Sequence, residues 1–317
     1  MRTTFINQLV EEARTNERIF LLVGDLGYNV VEPFANAYPE RFINVGICEQ
    51  NMAGIAGGLA MNGWIVYCYS IGNFPTLRCI EQIRNDIVYY NNNVRVVSVG
   101  AGYAYGSQGV SHQATEDVAM LRSLPNMVVC SPSDPIETKM LVHLSTTHQG
   151  PMYIRLGKAG EQVFHQQEIQ DYHLGDLLPI HTSLTSLPLD LRSLATEGTQ
   201  ESPLSTLVLT SGSILARVME SIETKHLDYD VFTVPVVKPL NASQLCALAE
   251  QRTQIIVVEE NQKSGGIGSA IIEHLSDAFN SGALSHYPKV NRIAINDEFL
   301  DIAGSQRYLQ QAAGLIL

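Results

Sequence analysis

Ile47-Cys48-Glu49-Gln50-Asn51-Met52-Ala53-Gly54-Ile55-Ala56-Gly57-Gly58-Leu59-Ala60 opens on a carboxylate and runs on through small, mostly apolar residues. The pattern predicts a helix that starts at Glu49. Its glycines at 54, 57 and 58 each cost a helix roughly 1 kcal/mol relative to alanine. That choice makes sense where another backbone approaches closely. The acid then sits at the mouth of a tight, dry contact, and a carboxyl buried in such a place keeps its proton and can donate a hydrogen bond. A plainer role also fits: a first-turn glutamate that satisfies free N–H groups and the helix dipole. Both readings stand on this stretch alone.

Outward from it, helical and strand patterns alternate. Residues 3–16 carry an amphipathic helix, Ile19–Val23 an apolar strand and Ile43–Val45 a short strand before Glu49. Trp64–Tyr69 is the next strand, followed by a long helix to about Tyr90. The buried strands Val94–Val99 and Met127–Cys130, a helix over Asp134–Leu144 and the strand Met152–Leu156 complete the set. Strands separated by helices imply a parallel sheet covered on both faces. Residues 166–204 break the rhythm: 181–194 are rich in Ser, Thr, Leu and Pro, and 195–203 are polar. They predict an interdomain linker with a hairpin near 172–180. A second set of strands follows at 206–209, 229–234, 254–259 and 290–295, with helices near 213–223, 241–252, 267–279 and 300–313. The expected fold class is α/β in two domains, each a mostly parallel sheet flanked by helices. The boundaries are 1–165, a linker over 166–204, and 205–317.

Composition narrows the function. The 317 residues are 45% apolar and 16% charged, enough for two cored domains and far from a disordered composition. A net charge of −12 with six lysines argues against nucleic acid or an anionic membrane as partner. Met1-Arg2-Thr3-Thr4-Phe5 lacks the apolar core of a signal peptide, and no run of 18 apolar residues occurs. Five cysteines, with no Cys-x-x-Cys pair, fit reduced thiols in a cytoplasmic protein. No His/Cys cluster has metal-ligand spacing, so a metal site within this chain is not expected.

The Glu49 segment resembles the pyrimidine-binding domain of the transketolase family of thiamine diphosphate enzymes. The resemblance implies that Glu49 hydrogen-bonds N1′ of the cofactor's aminopyrimidine. Ser70-Ile71-Gly72-Asn73-Phe74-Pro75-Thr76-Leu77-Arg78 looks like the family segment that packs against that ring. There the family spaces three aromatics; here Ile71, Phe74 and Leu77 hold those positions, so Phe74 alone offers a ring face. Gly106-Ser107-Gln108-Gly109-Val110-Ser111-His112-Gln113 is similar to a glycine-flanked loop ending in a substrate-facing histidine. His112 is thereby expected to bind sugar hydroxyls or move a proton. Gln108 stands where the family usually has aspartate, which points to a different or specialised sugar.

The resemblance extends to anion sites and to what is missing. Arg78 and Arg155 match positions where relatives bind substrate phosphate, a task suited to guanidinium groups; surface ion pairs with Glu81 or Glu161 are the plainer alternative. Asn29, in Gly24-Asp25-Leu26-Gly27-Tyr28-Asn29, falls where transketolase has a phosphate-touching serine, and Asp25 beside it is a cofactor-site candidate at a strand end. Glu116 and Asp117 read as first-turn acids. Glu259–Ala270 is similar to the family's C-terminal domain, where tight strand-to-helix packing is the better reading than a phosphate cradle. The family's Gly-Asp-Gly…Asn-Asn anchor for diphosphate and divalent metal does not occur here. The resemblance therefore implies a transketolase cut in two, with an N-terminal diphosphate-binding subunit supplying those ligands and Mg2+ in a heterotetramer of two of each chain. It implies transfer of a two-carbon ketol unit from a ketose, phosphorylated or free, to an aldose. Two rivals remain: the β-subunit of a 2-oxoacid dehydrogenase E1 component, and a non-catalytic partner subunit.

Overall fold

The computed structural model describes residues 1–182, 196–197 and 206–317. The first half runs α1 (Arg2–Thr15), β1 (Ile19–Val23), α2 (Glu32–Ala37), β2 (Phe42–Asn44), α3 (Glu49–Met61) and β3 (Ile65–Ile71). It continues through α4 (Ile80–Gln82), β4 (Val94–Val99), α5 (Asp117–Arg122), β5 (Val128–Cys130), α6 (Pro135–Thr147) and β6 (Met152–Leu156). Then come β7 (Leu178–Thr182), β8 (Thr196–Glu197), β9 (Thr206–Ser211), α7 (Leu215–Lys225), β10 (Asp230–Thr233) and β11 (Val236–Lys238). The chain ends on α8 (Ala242–Ala249), β12 (Gln254–Gln262), α9 (Ile267–Asn280), β13 (Lys289–Ile295) and α10 (Gln306–Ala312).

Two sheets result, ordered β11-β5-β6-β4-β3-β1-β2 and β13-β12-β9-β10-β7-β8. The first is parallel except for β11, and the second except where β7 runs antiparallel to β10. Unbroken apolar runs such as Ile-Phe-Leu-Leu-Val in β1, buried at all five positions, are what a sheet covered on both faces demands. This is the α/β class expected, with two differences. The hairpin near 172–180 does not form, because Leu178–Thr182 joins the second sheet instead. Val236–Lys238, just after β10, crosses back to edge the first sheet beside β5. Most of the expected linker tract lies outside the described residues. Among those described, no helix is long and apolar enough to cross a membrane.

The halves share a core. Met52, Ala53 and Ala56 of α3 belong to the same apolar cluster as Leu207, Phe232 and Leu245. The close approach expected on the glycine face of α3 is partly internal: a Cβ at Gly57 would stand 2.7 Å from the Asp86 carbonyl. Asp86 lies in the π-helical stretch Ile83–Val88, so that contact is made by the chain itself rather than kept for a partner. Gly58 has nothing within 4 Å and keeps its face open.

Candidate active site

β1 and β3 lie side by side, yet the next strand after β1 is the outer β2, while the one after β3 is β4 on the opposite side. Connections that leave in opposite directions open a crevice at the strands' C-terminal ends. Gly24 at the end of β1, Ser70 in β3 and Glu49 at the start of α3 meet there. A Cβ on Gly24 would sit 3.4 Å from both Glu49 Cγ and Ser70 Oγ, so the end of β1 lies directly against the carboxyl side chain.

Glu49 is 1% exposed. Its hydrogen bonds do not go to the N–H groups of its own helix, as a first-turn acid's would. Ser70 Oγ donates to Oε1 at 3.3 Å and Arg78 Nη1 to Oε2 at 2.8 Å. With a donor on each oxygen, the buried carboxyl is fully hydrogen-bonded. The same guanidinium carbon lies 4.8 Å from the centroid of the Phe74 ring, close enough for a cation–π contact. Phe74 in turn meets His112 edge-on, with ring centroids 5.2 Å apart. Glu49, Arg78, Phe74 and His112 thus form a continuous line of contacts.

The loops are held by backbone geometry. Gly72 has φ +48°, and a Cβ there would stand 3.0 Å from the His112 carbonyl, so the Phe74 turn lies tight against the histidine loop. Ser98 Oγ and Thr76 Oγ1 both donate to the Gly72 carbonyl. Cys79 Sγ donates to the Phe74 carbonyl at 3.2 Å; burial, with Glu49 adding to it, pushes this thiol up to about 12. His112 is half-buried, and its Nδ1 lies 3.0 Å from Ser111 Oγ.

The remaining candidates are placed less uniformly. Ile71, half-buried, ends β3, and Leu77 is 38% exposed one residue before Arg78. Asp25 has φ +54° and is clamped by Asn44, whose Oδ1 accepts from the Asp25 N–H at 3.0 Å and whose Nδ2 donates to Oδ1 at 2.9 Å. Such a backbone conformation is costly outside glycine, and it lies one residue from the Gly24–Glu49 contact. Asn29, at φ +60°, is exposed, and its N–H donates to Glu32 Oε1 at 2.8 Å. Gln108 is exposed in the 3-10 turn Gly106–Gln108.

Arg155 requires a correction. It is 3% exposed, and Nε donates to Asp117 Oδ2 at 2.8 Å while Nη2 donates to the carbonyls of Ala114 and Glu260. Burial alone would lower its pKa, but Asp117 overrides this and raises it. A guanidinium so committed ties the two halves together and is not free to clamp a substrate phosphate. Asp117 sits in the first turn of α5, as expected, and is at the same time the buried partner of Arg155. In Glu259–Ala270, the Glu259 carboxylate accepts from the N–H groups of Ile267 and Gly268 at 2.7 and 2.9 Å. The chain's own acid fills the start of α9, which leaves no phosphate cradle there. Sequence reasoning gave no role to Ser70 or Gly24; their nearness to Glu49 follows from the pairing of β1 with β3 and carries no local signal.

Comparison with known proteins accords with this geometry. The transketolase pyrimidine-binding domain matches residues 1–160 and the transketolase C-terminal domain residues 204–314. A subunit of the apulose-4-phosphate transketolase of Phocaeicola vulgatus is 31% identical over 277 residues, 87% of this chain and 83% of that protein. A 6-deoxy-6-sulfo-D-fructose transketolase subunit of a Clostridium species is 29% identical over 316 residues, 99% of this chain and 90% of that one. Among solved structures, a split-gene transketolase in the form of an inactive β4 tetramer superposes with a TM-score of 0.79. It is 30% identical, with 99% of this chain and 93% of that chain covered.

Proposed function

The chain belongs to the transketolase family, and from that premise we propose that it is the pyrimidine-binding half of a split transketolase. A separate subunit completes it to transfer a two-carbon ketol unit from a ketose to an aldose. The observation that carries this reading is Glu49: a carboxyl 1% exposed, at a strand-end crevice, in line with an aromatic face. These residues fit the pyrimidine end of thiamine diphosphate, since they offer a buried acid in line with an aromatic platform. Bound there, the cofactor supplies the carbanion chemistry that lets the C2–C3 bond of a ketose break. Glu49 holds a proton toward N1′, Phe74 supports the ring, and His112 orients sugar hydroxyls from the adjoining loop, with Gln108 at the rim. The sequence lacks the Gly-Asp-Gly…Asn-Asn anchor, so we assign the diphosphate and Mg2+ to the partner subunit, two of each chain forming a heterotetramer in the cytoplasm.

Both named relatives act on ketoses that carry an anionic group, a phosphate in one and a sulfonate in the other. We extend that class to this chain's substrate. With Arg155 committed to Asp117, Arg78 is the candidate cation for the anion. The matched families and these relatives are transketolases, which favours sugar chemistry over the 2-oxoacid dehydrogenase reading, and an intact Glu49 pocket disfavours a purely scaffolding role. The test is ketol transfer by the reconstituted pair. Glu49→Ala is expected to lower kcat by about 10²-fold or more, the lower end of acid–base effects. Near-normal transfer by that variant would refute the assignment.

A further inference from the structure

We infer that Arg78 is a displaceable occupant of the cofactor ring's place, a positioning residue that holds Glu49 until thiamine diphosphate enters. The inference rests on the reading of Glu49 and Phe74 as the two groups that receive the aminopyrimidine. One planar cation touches both: Nη1 is 2.8 Å from Glu49 Oε2, and the guanidinium carbon lies 4.8 Å from the Phe74 ring centroid. A flat cation thereby touches the two groups assigned to the ring, though it donates to the carboxyl where N1′ would accept from it. Both Glu49 oxygens accept hydrogen bonds, one from Ser70 and one from Arg78. A carboxyl that is to donate toward N1′ must have one of those donors withdrawn.

Arg78 is the donor built to leave. Its side chain is 45% exposed against 1% for Glu49, and it follows the 38% exposed Leu77 at the rim. Ser70, by contrast, is fully buried within β3. The guanidinium can thus swing into solvent, or toward an anionic sugar, without uncovering a core. The pair then acts as a tax on cofactor binding: apparent affinity is reduced by the fraction of molecules in which the place is open. It also keeps the acid hydrogen-bonded while the pocket lacks its ring, so that no buried oxygen is left without a partner.

The experiment titrates thiamine diphosphate with Mg2+ into the pair formed with the diphosphate-binding subunit, reading dissociation constant and association rate by calorimetry and stopped flow. Arg78→Met, which keeps length and removes the cation, is expected to tighten binding about two- to fivefold and to speed association, the scale of a partly exposed ion pair. Arg78→Lys keeps a charge and is expected to return both values toward the parent. In a Glu49→Gln background, Arg78→Met is expected to change both values by clearly less, because the ion pair is gone while the Phe74 contact remains. Weaker or unchanged binding by Arg78→Met in the Glu49 parent would overturn the inference, and equal effects in both backgrounds would overturn it too. A Glu49→Gln pair with unaltered cofactor affinity and unaltered ketol transfer would instead sink the reading of Glu49 itself, whatever Arg78 does.

Discussion

At Arg155, position and role come apart. A guanidinium at the end of an inner strand resembles a phosphate clamp when only its place in the sequence is known. The fold buries it at 3% exposure against Asp117 and the Glu260 carbonyl. Removing one partner of such a pair leaves the other charged and unpaired. Arg155→Ala is therefore expected to lower unfolding free energy by about 3–5 kcal/mol, read from the denaturant midpoint. A loss below about 1 kcal/mol together with a raised KM for an anionic sugar would return Arg155 to the substrate site. The fold brings Glu49, Phe74 and His112 into one line of contacts through Arg78. These three could be singled out as candidates because each sits in a local pattern: an acid before a glycine-rich helix, a ring in a turn after a strand, a histidine in a glycine loop. The pairing of Glu49 with Arg78 was not legible. The two are 29 residues apart, and only the adjacency of β1 and β3 brings the helix start to the rim of the Phe74 turn.

At the scale of elements, the start of α6 shows how the chain joins its parts. Asp134 Oδ1 accepts from the Glu137 N–H at 2.8 Å and Glu137 Oε2 from the Ser133 N–H at 2.6 Å, a reciprocal cap. Asp134 Oδ2 also accepts from the His165 N–H, and it lies 3.1 Å from His165 Nδ1. Glu137 Oε1 accepts from Thr233 in β10. Burial pushes Glu137 up to about 7. Burial alone would push His165 down, but its bond to Asp134 and the nearby Glu137 leave it raised. Between pH 4.5 and about 7 the folded state keeps a proton on Glu137 that the unfolded chain has lost, so this contribution falls as pH rises across that window. The His165 contribution is full below its unfolded value and is lost as pH climbs through the higher folded one. Both act in the same direction. Stability is expected to fall by about 1–3 kcal/mol from pH 5 to 8 through this cluster, and Glu137→Gln is expected to flatten the slope of unfolding free energy against pH. An unchanged slope in that variant would remove Glu137 from the account. Strands such as β1, β4 and β6 were readable as apolar runs. β7 and β11 were not, because each takes its partner by a tertiary choice that no local pattern carries, and β11 is only three residues long.

On the scale of the whole molecule, two sheets share one apolar cluster and are bound by polar ties such as Arg155 to Glu260 and Ser211 to Ser131. The Glu49 crevice lies at the strand ends of the first sheet, beside the helix whose outer face at Gly58 stays open. The division into two α/β halves was legible from alternating patterns alone. The stitching of one sheet to the other was not, since Val236–Lys238 leaves its sequence neighbours to edge the first sheet. On the proposed function, the Glu49 crevice is the pyrimidine end of a thiamine diphosphate pocket that a diphosphate-binding subunit completes. The most direct test is calorimetric titration of thiamine diphosphate with Mg2+ into this chain, into the diphosphate-binding subunit, and into their mixture with Glu49 or Glu49→Ala. The account predicts tight, saturable binding in the mixture, at least about tenfold weaker with either subunit alone or with the alanine variant. Equal affinity for the isolated partner and for both mixtures would contradict it.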